Sequence, residues 1–336
     1  MNEAEHREHE QTRLRIKYNN SWPAEKWVSP LQEALLDKMK KAGLNQVFCP
    51  LKLDEDKAVD VLYKDAELNR IISTLLDLYD ELPLRPDAAF DVAWRALEIV
   101  VHFYLKLYYP NALKGENDHI PASVEQKISR ITNGVFEQQL NKCLPLRDVF
   151  KRLLNDGVSE SAFHYIVARM FLPGELQVRT QWSQVSARCK EILGSGLFDE
   201  YRHKYVKGET MDSDSHRRAE RLLMLILKGE KKIVLEHEFD ALPLQKRITF
   251  VLSGILYSSR CERFHGDFFS PLKSDRSTLG TYYGQYWLLT VSYMFFWMTV
   301  HQYLEKKKVE PFFTLEALAE SIGKTIDAAT AVMIKK

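Results

Sequence analysis

The chain of 336 residues has a formal net charge of +1, with 45% hydrophobic and 28% charged residues. That balance excludes the charge excess of a disordered chain and the basic surplus that announces nucleic-acid binding by composition alone. Its 14 glycines and 12 prolines are few for an all-β or linker-rich protein, and the length allows one large domain or two ordinary ones. Cys49, Cys143, Cys189 and Cys261 are far apart and form no Cys-x-x-Cys pair, and the charged N-terminus lacks an apolar signal stretch. A reducing, cytoplasmic setting is therefore expected.

Residues 2–15 are dense in Glu, His and Arg, as in a frayed arm or a solvated first helix. Within them His6 and His9 stand three apart, a spacing that suits two metal ligands on one helix face, but nothing else completes a site. No metal or other cofactor is expected. Helical patterns follow at 29–42 and 57–79, the second carried by Val61, Leu62, Leu68, Ile72, Leu75, Leu76 and Tyr79. Pro83 and Pro86 break the run. Asp87 then reads as the N-cap of a helix that extends to about residue 109, where Pro110 stops it. Its apolar residues, from Phe90 and Trp94 to Tyr104 and Tyr108, fall in a stripe about 120° wide, as expected of a helix packed on a core.

After a polar loop at 111–119, helical patterns resume at 121–140, 146–154 and 159–171. Polar stretches near 194–196 and 207–215 separate two further helical segments, which makes the middle third a candidate insertion; there is no internal repeat. Residues 244–259 are again helical and lead directly into Arg-Cys-Glu-Arg-Phe-His-Gly at 260–266. A polar loop at 270–280 precedes a very apolar helix at 282–304. Its segment 286–300, YWLLTVSYMFFWMTV, is shorter than the ~20 residues that cross a bilayer, so a buried core helix and no membrane contact are expected. The last helix starts at Thr314.

Two pairs in the chain have Arg followed after four to six residues by His: Arg95 with His102, and Arg260 with His265. Chance alone supplies roughly 1.8 such pairs at this composition, so spacing by itself decides nothing. Arg95 and His102 flank the apolar stripe of a continuous helix, where a structural role at the core edge is expected. Arg260 and His265 follow the apolar helix ILYSSR, enclose a short charged interval, and are succeeded by Gly266 and a polar loop.

That context resembles the catalytic motif of HEPN-family ribonucleases, and Ala93-Trp94 followed by Ala96-Leu97-Glu98 resembles the long helix that precedes the catalytic helix in some of those families. The resemblance covers about 85–108 and 245–304, and neither the N-terminal eighty residues nor the middle third. One departure is Cys261, where HEPN motifs commonly carry Asn, Asp or His. The resemblance implies attack by a ribose 2′-hydroxyl on the adjacent phosphate, giving a 2′,3′-cyclic phosphate and a free 5′-hydroxyl. His265 is implied to move the protons and Arg260 to stabilise the phosphate charge, chemistry that suits an imidazole titrating near neutrality and a permanently charged planar fork. It also implies a homodimer, with two motifs facing each other across a composite cleft, and toxin-like or antiviral defence use, with an antitoxin or other regulatory partner.

Glu262 and Arg263, inside the interval, are candidates to orient the histidine or hold the backbone, and read equally well as a solvated turn. Lys273, Arg276, Tyr282 and Tyr283 form a candidate set for phosphate contact and base stacking on RNA, and surface-loop chemistry explains them equally well. Gly323-Lys324-Thr325 is no phosphate-binding loop, because Leu318 stands where that motif requires Gly. The expected architecture is all-α: an N-terminal helical extension over 1–82, a HEPN-like helical bundle over 83–308 with an insertion at about 111–240, and a C-terminal helix over 309–336. The expected function is a metal-independent endoribonuclease, and the alternative is a non-catalytic HEPN-like module that binds a partner protein or nucleic acid.

Overall fold

The computed structural model describes residues 28–113, 123–155, 160–171, 180–208, 211–229, 232–234, 237–264, 272 and 277–334. Helices dominate them: α1 (Pro30–Lys41), α2 (Glu55–Lys64), α3 (Ala66–Leu76), α4 (Pro86–Tyr108), α5 (Val124–Ile131), α6 (Glu137–Lys142) and α7 (Leu144–Asn155) come first. They are followed by α8 (Glu160–Phe171), α9 (Thr180–Leu193), α10 (Ser195–Tyr205), α11 (Ser213–Lys228), α12 (Leu244–Thr249), α13 (Tyr257–Phe264), α14 (Leu279–Lys307) and α15 (Leu315–Met333). The described strands are β1 (Lys232–Val234) and β2 (His237–Phe239), an antiparallel pair that aligns Lys232 with Phe239. Sequence periodicity did not anticipate this hairpin, because three-residue strands are too short to show alternation.

The core is built around α14. This helix is apolar on every side, and from Tyr286 to Val300 every residue is buried, as a helix without a polar face must be. Its most extensive packing is on α4, with α15 and α8 on other sides. No helix among the described residues is long and apolar enough to cross a membrane. The middle third joins the same core. Trp287 Nε1 donates to the Leu153 carbonyl at 2.7 Å, Gln139 Nε2 donates to the Met298 carbonyl at 3.1 Å, and the rings of Phe136 and Phe295 lie 4.6 Å apart. At the C-terminal end α15 packs on α14, α7 and α1, and the Ser321 hydroxyl donates to the Cys49 carbonyl at 2.6 Å.

Local chemistry explains where helices begin. Ser29 and Gln32 form a reciprocal capping box at α1. The helix expected over 57–79 is two helices and a 3₁₀ turn, because Asp65 ends α2 and caps α3 by accepting from the Leu68 backbone N–H at 3.0 Å. The α4 N-cap position is Arg85 and not Asp87, since Pro86 takes the first helical position. Asp87 is fully buried in the first turn and is gripped by Arg85 through Nε at 3.0 Å and Nη2 at 3.2 Å. The connection before α4 is tied to α14: the Tyr286 hydroxyl donates to the Pro83 carbonyl and the Tyr282 hydroxyl to the Leu84 carbonyl, both at 3.0 Å.

Asp65 reaches the core helix as well, accepting from Lys307 Nζ at 2.7 Å and from the Tyr303 hydroxyl. Burial pushes its carboxyl up, but the hydrogen bonds from Lys307, Tyr303 and the Leu68 N–H outweigh that and hold it below the usual carboxylate range. A depressed folded pKa contributes stability above the unfolded value of about 3.9, and that contribution is lost as pH falls through the lower folded value. Asp65→Asn is therefore expected to be less stable than wild type at neutral pH, with the gap closing as pH drops below about 4. Denaturant titrations at several pH values check this; a gap that ignores pH would rule out the carboxylate's role.

Candidate functional site

Residues 244–264 form one helical run interrupted by a π segment, Phe250–Leu256, in which every residue is buried. Such segments add a residue to a turn and re-aim the side chains on their C-terminal side, and they occur often at functional sites. Beyond it Ser258 and Ser259 stay buried while Tyr257, Arg260 and Cys261 become partly exposed. Helical spacing puts those three on one outward face of α13.

Arg260 sits beside α4. Its Nη2 lies 3.8 Å from Glu98 Oε2, with the two side chains 26% and 25% exposed. This is an ion pair at a distance beyond hydrogen bonding. Tyr257, one turn earlier, lies between two partners. Its ring centroid is 6.3 Å from that of Trp94 on α4, and the Arg188 guanidinium from α9 stands 5.1 Å over it, within cation–π range. Arg188 Nη2 also donates to the Ser258 hydroxyl at 3.1 Å.

A small groove, with a cavity volume of about 40 Å³, lies along the same face of α4, lined by Trp94, Leu97, Glu98 and Val101 and, from α5, by Lys127 and Ile128. The four α4 residues recur at the spacing that lines one helix face. Glu98 thus belongs both to the groove wall and to the Arg260 pair. One turn beyond it, His102 is exposed, and its pKa is held below the ordinary imidazole value by burial and by the charges of Lys127 and Lys106. Arg95 is exposed on the same helix.

The expected site residues fare differently. Arg260 is placed on the outward face of α13, within reach of Glu98. Glu262 and Arg263 lie in α13, where only their backbone is described, and His265, Lys273 and Arg276 lie outside the described residues, as do His6 and His9. Tyr282 and Tyr283 are not on a surface loop. They fall in the first turns of α14, which begins at residue 279, and are 0% and 3% exposed. The Tyr282 hydroxyl is bound to the Leu84 carbonyl, the Tyr283 hydroxyl lies 3.0 Å from Thr330 Oγ1, and burial pushes the Tyr282 pKa well up. Neither ring is open to a base, so the stacking assignment is corrected to core packing. The physical reason is that the helix is started by Thr278, whose N–H donates to Thr281 Oγ1 at 3.1 Å, earlier than the apolar run suggests.

Sequence reasoning missed Arg188, Tyr257 and Lys127, which come from separate helices and have no motif. Glu98 was visible only as part of the resemblance on α4. Among the described residues no group of three or more His, Cys, Asp and Glu side chains is placed to hold a metal ion. Lys324 is engaged with Glu320 at 2.5 Å and Thr325 Oγ1 accepts from the Cys49 N–H at 3.0 Å, so the Gly323-Lys324-Thr325 stretch is structural. Set against protein-family models, curated proteins and solved structures, the chain matches none.

Proposed function

We propose that the protein is a metal-independent endoribonuclease of HEPN type that works as a homodimer, with Arg260 and His265 in the reacting site. The observation that supports this reading is the setting of Arg260: a partly exposed guanidinium on the outward face of α13, beside Glu98 and the groove that Glu98 lines. The planar fork of a guanidinium matches phosphate oxygens with two parallel donors. In the reaction the ribose 2′-oxygen bonds to phosphorus as the bond from phosphorus to the 5′-oxygen breaks. The 2′-hydroxyl proton passes to a base and the leaving 5′-oxygen takes a proton from an acid, tasks that suit the imidazole of His265 and of its counterpart in the second copy. Arg260 stabilises the charge that builds on the non-bridging oxygens. Defence use, with an antitoxin or regulator that keeps the nuclease silent, fits this chemistry.

The ion pair itself favours a second reading, in which Arg260 ties α13 to α4 in a non-catalytic module that binds a partner. Incubating the purified chain with unstructured RNA in EDTA separates the two. Fragments ending in 2′,3′-cyclic phosphate and beginning with 5′-hydroxyl, made at a rate that depends on Arg260 and His265, are the expected result. Intact RNA, or cleavage indifferent to both residues, overturns the ribonuclease reading. Light scattering is expected to give twice the chain mass of 39.2 kDa.

A further inference from the structure

The other cations of α7 are paired: Lys151 Nζ donates to Asp148 Oδ1 at 3.1 Å and Arg152 Nη2 to Asp327 Oδ1 at 2.6 Å. Arg147, near the start of α7, and Arg247, on α12, depart from that pattern. Both are half-buried, and among the described residues neither side chain has a carboxylate partner. Burial, and after it the charge of Arg147, press the Arg247 pKa below its ordinary value. Arginine nonetheless stays charged, so two like charges are kept near each other with no acid between them. Arg247 is also fixed in place. Its Nη1 donates to the carbonyl of Lys228, the last residue of α11, at 3.0 Å, and its guanidinium lies against Gly229, which closes that helix with a φ of 81°. A Cβ at position 229 would stand 2.8 Å from Arg247 Cζ and 2.9 Å from Nη1, so glycine is what leaves the guanidinium its room. Capping the carbonyl end of α11 uses one of the five N–H groups of a guanidinium. It does not account for Nε, which is buried without a partner, or for Arg147, carried by a helix that packs on α11.

We infer that Arg147 and Arg247 together hold a phosphate group, which accepts from Nη2 of Arg247 and from the guanidinium of Arg147. A partly desolvated charge without a counter-charge is costly, and two of them that repel each other cost more. An anion seated on both removes the two costs at once. Phosphate suits the pair because it brings three strong acceptor oxygens, enough for two guanidinium groups, and because the planar fork of arginine matches its geometry. The helical run that carries Arg247 puts Arg260 roughly 20 Å further along, at about 1.5 Å per residue. One phosphate cannot touch both, so this site stands whether or not the chain cuts RNA. The phosphate belongs either to a nucleic-acid backbone or to a free ion, and the chemistry of recognition is the same for each.

Calorimetric titration of the full chain with inorganic phosphate, at an ionic strength held constant with chloride, tests this. Wild type is expected to bind phosphate saturably, and Arg147→Gln and Arg247→Gln to weaken binding roughly tenfold or more, the usual cost of losing hydrogen bonds to a charged group. Arg147→Gln is the decisive variant, because it has no ion pair to lose. In chloride alone it is expected to melt at or above the wild-type temperature, since a repulsion has been removed, and in phosphate it should miss the upward shift that a ligand gives wild type. A lower melting point in chloride would mean that Arg147 has a favourable partner within the fold, and counts against the inference. No phosphate binding by wild type, or equal binding by wild type and both variants, overturns it without any variant having to fold. The source of the phosphate is read by repeating the titration on chain saturated with a single-stranded DNA oligonucleotide with hydroxyl ends, which lacks the 2′-hydroxyl that cleavage would use. Phosphate excluded by the oligonucleotide assigns the site to a nucleic-acid backbone, and phosphate bound as before assigns it to the free ion.

Discussion

Arg260→Ala is expected to slow RNA cleavage by roughly 10²–10³-fold, the usual cost of removing one preorganised donor from the charge that develops in a transition state. His265→Ala is expected to cost roughly 10²–10⁴-fold, the range for a positioned acid or base. The double variant should lose far less than the product of the two, because the residues act on one transition state and their effects are not additive. Arg260→Lys should restore little. A lysine keeps the charge but not the planar fork that contacts two phosphate oxygens at once. The Glu98 pair is 3.8 Å long and about a quarter exposed at each side chain, and such pairs are worth about 0–1 kcal/mol, so the loss of that pair in Arg260→Ala contributes little to stability. Single-turnover rates in EDTA, with a thermal melt of each variant alongside, therefore separate lost chemistry from lost fold. Wild-type rates in Arg260→Ala would end the assignment.

The range of each interaction decides whether it was legible in the sequence. The periodic spacing of Phe90, Trp94, Leu97 and Val101 was enough to place α4, and the unbroken apolar run was enough to bury α14, because both signals are local. Asp65 was hidden in a pattern that remained helical on either side of it. Its effect on the chain depends on Lys307 and Tyr303, more than two hundred residues away. The π segment before Arg260 was equally invisible, since Phe250–Leu256 reads as ordinary apolar helix and the extra residue per turn leaves no mark on composition. Tyr282 and Tyr283 were legible as the start of the apolar helix but not as closed to a base: an aromatic ring with a hydroxyl suits a wet surface as well as a core position with an available acceptor, and the Leu84 and Thr330 contacts show the core position. Arg260 stood out through its neighbours in sequence, whereas Lys127 reaches the groove from α5, and Arg188 from α9 meets Tyr257 and Ser258 on α13, through the packing of separate helices. No spacing rule connects residues on four helices.

That shared packing has a consequence for stability that Trp287 tests. The side chain is 1% exposed, its Nε1 donates to the Leu153 carbonyl at 2.7 Å, and its ring meets that of Phe163 edge-on at 6.1 Å. It therefore ties α14 to both α7 and α8. Trp287→Ala is expected to cost about 3–5 kcal/mol through lost burial and the cavity left behind, a large fraction of the roughly 5–15 kcal/mol that holds a typical domain together. Trp287→Phe keeps most of the apolar area but leaves the Leu153 carbonyl without its donor, so its cost should fall nearer about 1–3 kcal/mol. Urea titrations followed by far-UV circular dichroism and by fluorescence measure both. If the middle third folded as a separate unit, the alanine variant would shift one of two transitions and leave the other in place. Because the buried residues form one continuous cluster from Leu35 to Met333, the two probes are expected to move together to lower urea. The order of the variants then reports the division of labour within one side chain: the difference between alanine and phenylalanine measures packing that a phenyl ring restores, and the residual loss in phenylalanine combines the missing part of the ring with the lost hydrogen bond from Trp287 to Leu153.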